Sequence, residues 1–571
     1  MKNETFAVTA FHGISKNGET GRLFDAENVC AADFPRLTVR GRRAWMREVK
    51  APGGIHSDST LAYVDNGSLY FGGTRVDGIY LTGGEKTLLR LGGYLLVFPD
   101  CVYVDPSNTD DSGTLNVFYR SEGDVYVCCV DENLEEMLDY GVSSVEPDGA
   151  QKGDTCAVKG SDGSYVMMRY DGAAWRNVDS LLKISCDGIG NGFSVGDTVS
   201  CNGLENSVGD HFRIVAKSPE ALYCEGVVPA AFTASKVEVE RSVPLFDHCA
   251  VCNGRLYGVR RGRDRSGAWV SRIYASAPND PFNFSPYGGG AYCDVDVSGV
   301  FTAICGHGTG AVVFSESDII EAKVKNGEIV VSSIRGCGVE NGAHKSVVSY
   351  GGAVYYKSRY GVYTYDGAYP EFISGALGEC QRIDAHGSPA ICANGKYYIN
   401  LADSKSENAT YVYSIGMKAW YKESATDAVA YAVRNGCVYA LTPKYLILMD
   451  YSSASEADKT YCAAQWYPIV EDTVRWSIES GRIIDAMIRN VTCTRLSMRL
   501  KLKEESSLTV GMRYDDGEVT EPLTVNGELN GVLCVPLAAR PSDSASVVIS
   551  GAGEATLEGI AIDYRVGGEA R

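Results

Sequence analysis

The chain has 571 residues, 45% hydrophobic and 22% charged, a balance that marks a globular protein and excludes a disordered one. A net charge of −19 disfavours wrapping nucleic acid, which needs lysine and arginine to replace counterions. Solubility is the plainer meaning of the charge, and an acidic channel that lets nucleic acid pass without adhering stays open.

Sixty-four glycines and 35 tyrosines call for many turns and many half-buried strand faces, hence an all-β protein. At this length about three or four domains would be ordinary, but a repeat ring can absorb roughly 250–350 residues as one body. The 19 cysteines are odd in number and lie in strand-like runs (Cys128, Cys129, Cys201, Cys224, Cys437, Cys493, Cys534). That usage suits reduced, buried thiols in a protein folded in a cytoplasm. Met1-Lys2-Asn3-Glu4-Thr5 carries no apolar signal region and no run of 18 apolar residues occurs, so neither a signal peptide nor a membrane-spanning helix is expected.

In chain order, residues 1–50 read as an extended arm with one short turn, since Phe34-Pro35 disfavours helix. Arg36, Arg40, Arg42, Arg43 and Arg47 make it the most basic piece of an acidic chain. Two readings stay open: an electrostatic strap onto an acidic neighbour, such as another copy, or a solvated strand edge whose charges discourage pairing.

Residues 51–130 carry three turn-plus-strand units, Asn66-Gly67-Ser68-Leu69-Tyr70, Gly92-Gly93-Tyr94-Leu95-Leu96 and Glu122-Gly123-Asp124-Val125-Tyr126, read as hairpins of one or two propeller blades. Leu134, Met137 and Leu138 at helical spacing predict a helix over 132–140. Residues 131–244 alternate with frequent glycine, through Tyr165, Trp175, Phe193, Asn206 and Phe212, and predict a small β-barrel or sandwich inserted in a propeller loop. Such an insertion is thermodynamically cheap, about 0.6 kcal/mol per doubling of loop length.

The ring resumes over 245–465. Within 347–447 the same unit appears three times: Gly351-Gly352-Ala353-Val354-Tyr355-Tyr356, Asn394-Gly395-Lys396-Tyr397-Tyr398-Ile399 and Asn435-Gly436-Cys437-Val438-Tyr439-Ala440. Their second glycines are 43 and 41 residues apart. Asn-Gly and Gly-Gly supply the positive φ of tight hairpins, and a period of roughly 40–50 residues is that of a β-propeller blade. Six to eight blades are expected, with a leader strand completing the last one to hide its edge. Over 466–571 long alternating runs (Ile484, Ala486, Ile488, Leu496, Met498, Leu500, Leu502) and the Asp515-Asp516-Gly517 turn predict a β-sandwich.

No motif carries convincing covalent chemistry. His248-Cys249-Ala250-Val251-Cys252 is half a zinc site with no second CxxC, and in a strand its cysteines face opposite ways. Gly306-His307-Gly308-Thr309-Gly310 lacks the lysine and helix of a phosphate loop. Gly192-Phe193-Ser194-Val195-Gly196 has the letters of a nucleophile elbow but precedes a strand. Asp515 and Asp516 read as hairpin residues. No catalytic, cofactor-binding or metal-binding residue is therefore assigned, and no cofactor is expected. Arg260, Arg261, Arg263 and Arg265 form a basic loop that could meet phosphates, an acidic neighbour, or only solvent.

Four pieces together resemble bacteriophage tail proteins of the nozzle or tail-hub type, including the packaged-DNA stabilisation family of short-tailed phages. They are the leader 25–43; Arg255-Leu256-Tyr257 with Arg272-Ile273-Tyr274-Ala275-Ser276 and Asp280-Pro281-Phe282-Asn283-Phe284; Phe193-Ser194-Val195-Gly196-Asp197-Thr198-Val199; and Ile549-Ser550-Gly551-Ala552-Gly553 with Ile562-Asp563-Tyr564. Phe284 stands where that family usually has tryptophan. The resemblance implies a non-enzymatic virion protein made in the host cytoplasm. It implies a homo-oligomeric, hexameric ring below a portal or adaptor, contacts with tail fibre or spike proteins, and transient passage of double-stranded DNA. Arg36, Arg40, Arg42, Arg43, Arg260, Arg261, Arg263 and Arg265 are the candidate inter-subunit or channel contacts. Competing expectations are a receptor- or glycan-binding tail protein using propeller loops and, less favoured, a propeller glycan hydrolase.

Overall fold

In the computed structural model the described residues are all but 1, 17–21, 138–140, 161–164, 205–209, 264–266, 486–488 and 570–571. Asn206, Arg265, Ala486 and Ile488 thus lie outside them.

Seven antiparallel blades are arranged in a ring, five of them separate four-stranded sheets, the sixth the end of a ten-stranded sheet and the seventh a five-stranded sheet. Their innermost strands are Pro52–Ser57, Thr87–Leu91, His248–Cys252, Ala303–His307, Val348–Tyr350, Ala390–Ala393 and Ala430–Arg434. Each packs beside the next, and the seventh packs back on the first. The fold is a seven-bladed propeller, blades 1 to 7 in that order. Ala44–Glu48 pairs with Tyr445–Leu448 and supplies the fourth strand of blade 7, so the ring closes with the two ends of the propeller chain in one sheet.

The repeat builds blades by two devices. Asn394-Gly395 and Asn435-Gly436 both stand at positive φ and join pairs registered Ala393↔Lys396 and Arg434↔Cys437, a two-residue turn whose twist suits the strands. The tyrosines that follow fill the space between blades while their hydroxyls find main-chain partners. Tyr356 donates to the Cys337 carbonyl (2.6 Å) and Tyr397 to the Ser346 carbonyl (2.8 Å), both rings fully buried.

At the end of the ring where these turns lie, polar links run blade to blade. Arg90 of blade 2 faces Asp58 of blade 1 (3.6 Å). Arg434 of blade 7 donates to the Ser59 carbonyl (2.8 Å) and Asn394 of blade 6 to Gly436 (3.0 Å). The Gly395 amide donates to the Tyr350 hydroxyl (3.0 Å), His307 meets Ser349 (3.2 Å) and the Cys252 thiol reaches the Gly308 carbonyl (3.7 Å). Between blades 2 and 3 the contact is steric: a Cβ at Gly92 would strike the Asn279 carbonyl at 2.9 Å.

The insert begins earlier than expected. Asp124–Val130, read from sequence as a blade strand, pairs instead with Leu181–Ser185 and Phe232–Ser235. With Val117–Arg120 it belongs to an eight-stranded sheet curled on one apolar core that includes Val127, Leu182, Phe193, Phe212 and Val239. Strand alternation is the same in blade and insert; only the pairing partner differs, and that is non-local. The helix expected over 132–140 is absent among the described residues, where 132–134 turn and bend and Glu136 bridges back to Val130, and 138–140 lie outside them. The α-helix present, Glu456–Gln465, is capped by Ser455 accepting from the Asp458 amide and covers blade 7, with Cys462 against Tyr439.

The leader is not an arm. Lys2–Val8 and Leu37–Val39 pair with Ala555–Glu569 in one sheet of the C-terminal sandwich, and Leu23–Glu27 pairs with Arg475–Ser480 in the other. Leu23–Glu27 also lies beside Ala419–Glu423, the last strand of blade 6, through Glu27↔Lys422. One sheet therefore runs from blade 6 into the sandwich, whose core joins Val8, Phe11 and Leu23 of the leader to Ile478, Met498, Val510 and Ile549.

Candidate functional site

The first cluster of titratable groups sits at the other mouth of the tunnel, where innermost strands begin. Glu85 precedes blade 2, His248 opens blade 3, and His344 and Lys345 precede blade 5. Blades 2 and 5 are three apart in a ring of seven, yet Glu85 Oε1 is 2.6 Å from His344 Nε2 and Oε2 is 3.2 Å from Lys345 Nζ. The pairs thus span the mouth, and the His248 ring packs on His344 at 5.1 Å. Burial alone would raise the Glu85 carboxyl, but the His344 hydrogen bond and the Lys345 charge outweigh it and bring it to about 2. Burial, seconded by the neighbouring His344, pushes His248 down to about 4. A carboxylate that holds an imidazole on one oxygen and an ammonium on the other fastens the mouth. Sequence reasoning missed these residues. Their shared signal is position, within four residues of an innermost strand's start.

A second feature is the hairpin at 260–271. The expected basic loop is mostly strand, Arg255–Arg263 pairing with Trp269–Ala275. Trp269 is 62% exposed, with the Arg263 and Arg261 guanidiniums at 5.2 and 5.8 Å from its ring. On the opposite face Arg272 stacks on half-exposed Tyr292 (4.6 Å) and forms a two-pronged pair with Asp294 (2.6 and 2.9 Å).

The third is a recess of about 350 Å³ between the leader and blade 6, lined by Asp25, Glu27, Asp403, Glu407 and Glu423 along with Lys16 and Lys422. Glycoside hydrolysis needs two carboxylates facing each other across a substrate. Here Lys422 joins Asp25 (3.7 Å) to Glu27 (3.4 Å), and Arg43 holds Glu423 (3.1 Å). Asp403 and Glu407 have no cation within ion-pair distance among the described residues.

The leader arginines divide. Arg40 grips Glu471 with two bonds (2.8 and 3.1 Å), and Arg43, 6% exposed, bonds Glu423 and the Ser424 carbonyl (2.9 Å). Both are committed inside the chain, which corrects their expected role as outward contacts: the leader's charge neutralises carboxylates of its own sandwich and blade 6. Arg36 is exposed and pairs with Asp33 (3.1 Å) and Glu558 (3.4 Å); Arg42 is exposed. Arg260 and Arg263 are exposed and Arg261 half-exposed.

The remaining motifs are structural. Ser194 lies in a turn, its amide donating to Asp197 (2.8 Å). None of the 19 cysteines is in a disulfide, and among the described residues no group of three or more His, Cys, Asp or Glu is arranged to hold a metal. No described helix is long and apolar enough to cross a membrane.

No protein-family model and no curated protein matches the chain. Among solved structures it is similar to the exo-β-1,3-galactanase Pc1,3Gal43A of Phanerochaete chrysosporium with galactose, at 8% identity over 78% of this chain and 100% of that one, TM-score 0.17. It is also similar to the extracellular domain of BT4673 from B. thetaiotaomicron, a hybrid two-component system, at 8% identity over 90% and 95%, TM-score 0.20. Superposition that loose carries no argument about function, and the propeller rests on the strand pairing above.

Proposed function

We propose that the chain is a non-catalytic structural subunit of a bacteriophage tail, of the nozzle or hub type, repeated around the path of the DNA. One observation supports this reading. The four pieces that resemble the family are two pairs in contact. Phe193–Val199 residues of the insert meet the Asp280-Pro281-Phe282-Asn283-Phe284 piece of blade 3: the Thr198 amide donates to Asn283 Oδ1 (2.7 Å), and Arg241, bound to Asp197 (2.5 Å), lies over the Phe282 ring (4.7 Å). The leader piece and the C-terminal piece share the sandwich: Ala26 pairs with Ile478, which pairs with Ile549, and Leu37 pairs with Leu557 on the strand that goes on to Ile562, in one common core. The resembling residues are thus the joints of a three-part body, which scattered matches would not be. Cryo-electron microscopy of the purified chain and of the particle it comes from tests the reading. A closed ring of copies is the expected image; a protein that stays monomeric and lies outside the tail overturns it.

Receptor or glycan binding is the second reading, favoured by the exposed rings of Trp269, Tyr287 (71%) and Tyr292 (50%) on blade 3. A glycan array probed with wild type and Trp269→Ala separates the two: specific binding lost in the variant supports this reading.

A further inference from the structure

We infer that the arginine hairpin of blade 3 docks into the acidic recess beside blade 6 of a second copy of this chain, an inference that rests on the reading of the protein as a repeated subunit.

The hairpin is built to be held from outside. His248–Cys252 pairs with it only as far as Val259, and Ala291–Asp294 only from Arg272. At the next pair Asp247 Oδ2 still accepts from the Arg261 amide (2.8 Å) and the Val295 amide still donates to the Ser271 carbonyl (2.9 Å), so Gly262↔Val270 and Arg263↔Trp269 form a short two-stranded ribbon beyond the blade. Such a ribbon is marginal in water unless something packs on it. Its charges are also unanswered. In a chain with 72 acidic and 53 basic residues, Arg260, Arg261 and Arg263 have no carboxylate within ion-pair distance among the described residues. The tryptophan between Arg261 and Arg263 restrains both guanidiniums, so less side-chain freedom is lost when they bind.

Their natural complement is a concave surface whose carboxylates lack a cation, and this chain has one: the recess rim at Glu407 and at Asp403, whose Oδ1 accepts the Lys405 and Glu407 amides (both 2.8 Å). Within one copy the two features sit on the outer strands of blades 3 and 6, three apart in the ring of seven, so the partner is a second copy. Both features lie at the same end of the propeller, the end where innermost strands begin. The hairpin tip joins the second and third strands of blade 3, and residues 403–407 join the corresponding strands of blade 6. A hairpin meeting a recess is a heterologous contact, and at equal height it can repeat by rotation and close. Guanidinium–carboxylate pairing also gives the contact a salt dependence.

The test is a charge exchange on the full chain, with self-association followed by sedimentation and by microscopy of the rings. The hairpin variant carries Arg260→Glu, Arg261→Glu and Arg263→Glu; the recess variant carries Asp403→Arg and Glu407→Arg. Arg260, Arg263 and Glu407 are exposed and Arg261 and Asp403 half-exposed, and unchanged melting curves certify the fold. Each variant alone is expected to weaken self-association by about 10–100-fold, and an equal mixture of the two to recover hetero-association. Rings that survive both single variants overturn the contact and leave the structural reading standing. A wild-type chain that is monomeric in solution and in the particle removes both. A mixture that stays dissociated, or a hairpin variant that assembles normally but loses binding to duplex DNA or to an acidic polysaccharide, overturns the contact in favour of another anion.

Discussion

The sandwich and the insert are both outgrowths of one propeller, and they are attached by different physics. The sandwich is continuous with the ring through main-chain pairing, since Leu23–Glu27 runs beside blade 6 and the next leader segment closes blade 7. Side chains then tighten the joint. Asn28 accepts from the Arg40 Nε (2.9 Å) and the Ser424 amide (2.9 Å) and donates to the Arg475 carbonyl (2.7 Å), while Glu471 receives both Arg40 and the Arg43 amide (3.1 Å). The insert shares no sheet with the ring. It is held by its two chain crossings, a small polar contact centred on Asp197, Arg241 and Asn283, and the His211 ring beside Tyr287 (6.2 Å). The first joint couples the sandwich to ring closure; the second lets the insert loosen while the ring stays intact.

The strongest way to break this contrast is to cut one ion pair beside each joint, Arg43–Glu423 between leader and blade 6 and Arg241–Asp197 on the insert's side of its contact with blade 3. Arg43→Ala strands Glu423 beside a buried cavity at the point where ring and sandwich meet. A loss of about 3–5 kcal/mol is expected, as for removing one member of a buried pair. Denaturant unfolding should show it as one cooperative transition shifted to lower concentration, with blade 7 and sandwich affected together. Arg241→Ala leaves Asp197 buried without its cation and should cost about 3 kcal/mol, but locally. Hydrogen exchange should accelerate over 117–241 and remain unchanged in the blades. If both variants unfold the whole chain alike, the difference between the joints is wrong.

Acid offers a third comparison, because the mouth of the ring titrates in a range of its own. Between pH 6.5 and about 4 the unfolded chain protonates His248 while the folded chain does not, so stability falls as pH falls, by on the order of 2 kcal/mol. Glu85, ionised in the fold down to about 2, adds a further loss below the ordinary carboxylate pKa of 4.5. His248→Gln should flatten the first part of the stability-against-pH curve and leave the second. An unchanged slope between pH 6.5 and 4 would remove His248 from the explanation.

The blades were legible in the sequence because their signal is local. A two-residue turn at Asn394-Gly395 and a tyrosine two positions later need no knowledge of the rest of the chain. The joints were legible as letters without meaning. Asp197 and Arg241 are 44 residues apart and Arg43 and Glu423 are 380 apart, so nothing in either neighbourhood reveals the pair. Arg40 and Arg43 looked like free charge for that reason, and Asp124–Val130 looked like a blade strand because alternation does not name its partner. The mouth cluster was hidden more deeply, since Glu85 and His344 meet only because a ring of seven puts blade 5 opposite blade 2.

The smallest effect probes the insert joint without disturbing any charge. Asn283 is buried and satisfies both sides of the contact: its carbonyl oxygen accepts from the Thr198 amide, and its amide nitrogen donates to Asp280 and toward the Gly196 carbonyl (3.4 Å). Asn283→Ala removes these while keeping Asp197–Arg241, at an expected cost of about 1–2 kcal/mol for leaving the Thr198 amide unpaired. Combined with Arg241→Ala, the losses should fall short of additive, because Asp197 and Thr198 are adjacent and both changes act on one contact. Hydrogen exchange of the double variant then reports whether the insert is a separate cooperative unit. Protection over 117–241 that drops no further than in Arg241→Ala means the polar contact was the whole joint. A further drop of the full Asn283→Ala amount means the two residues act on independent footings, and the joint is broader than these side chains.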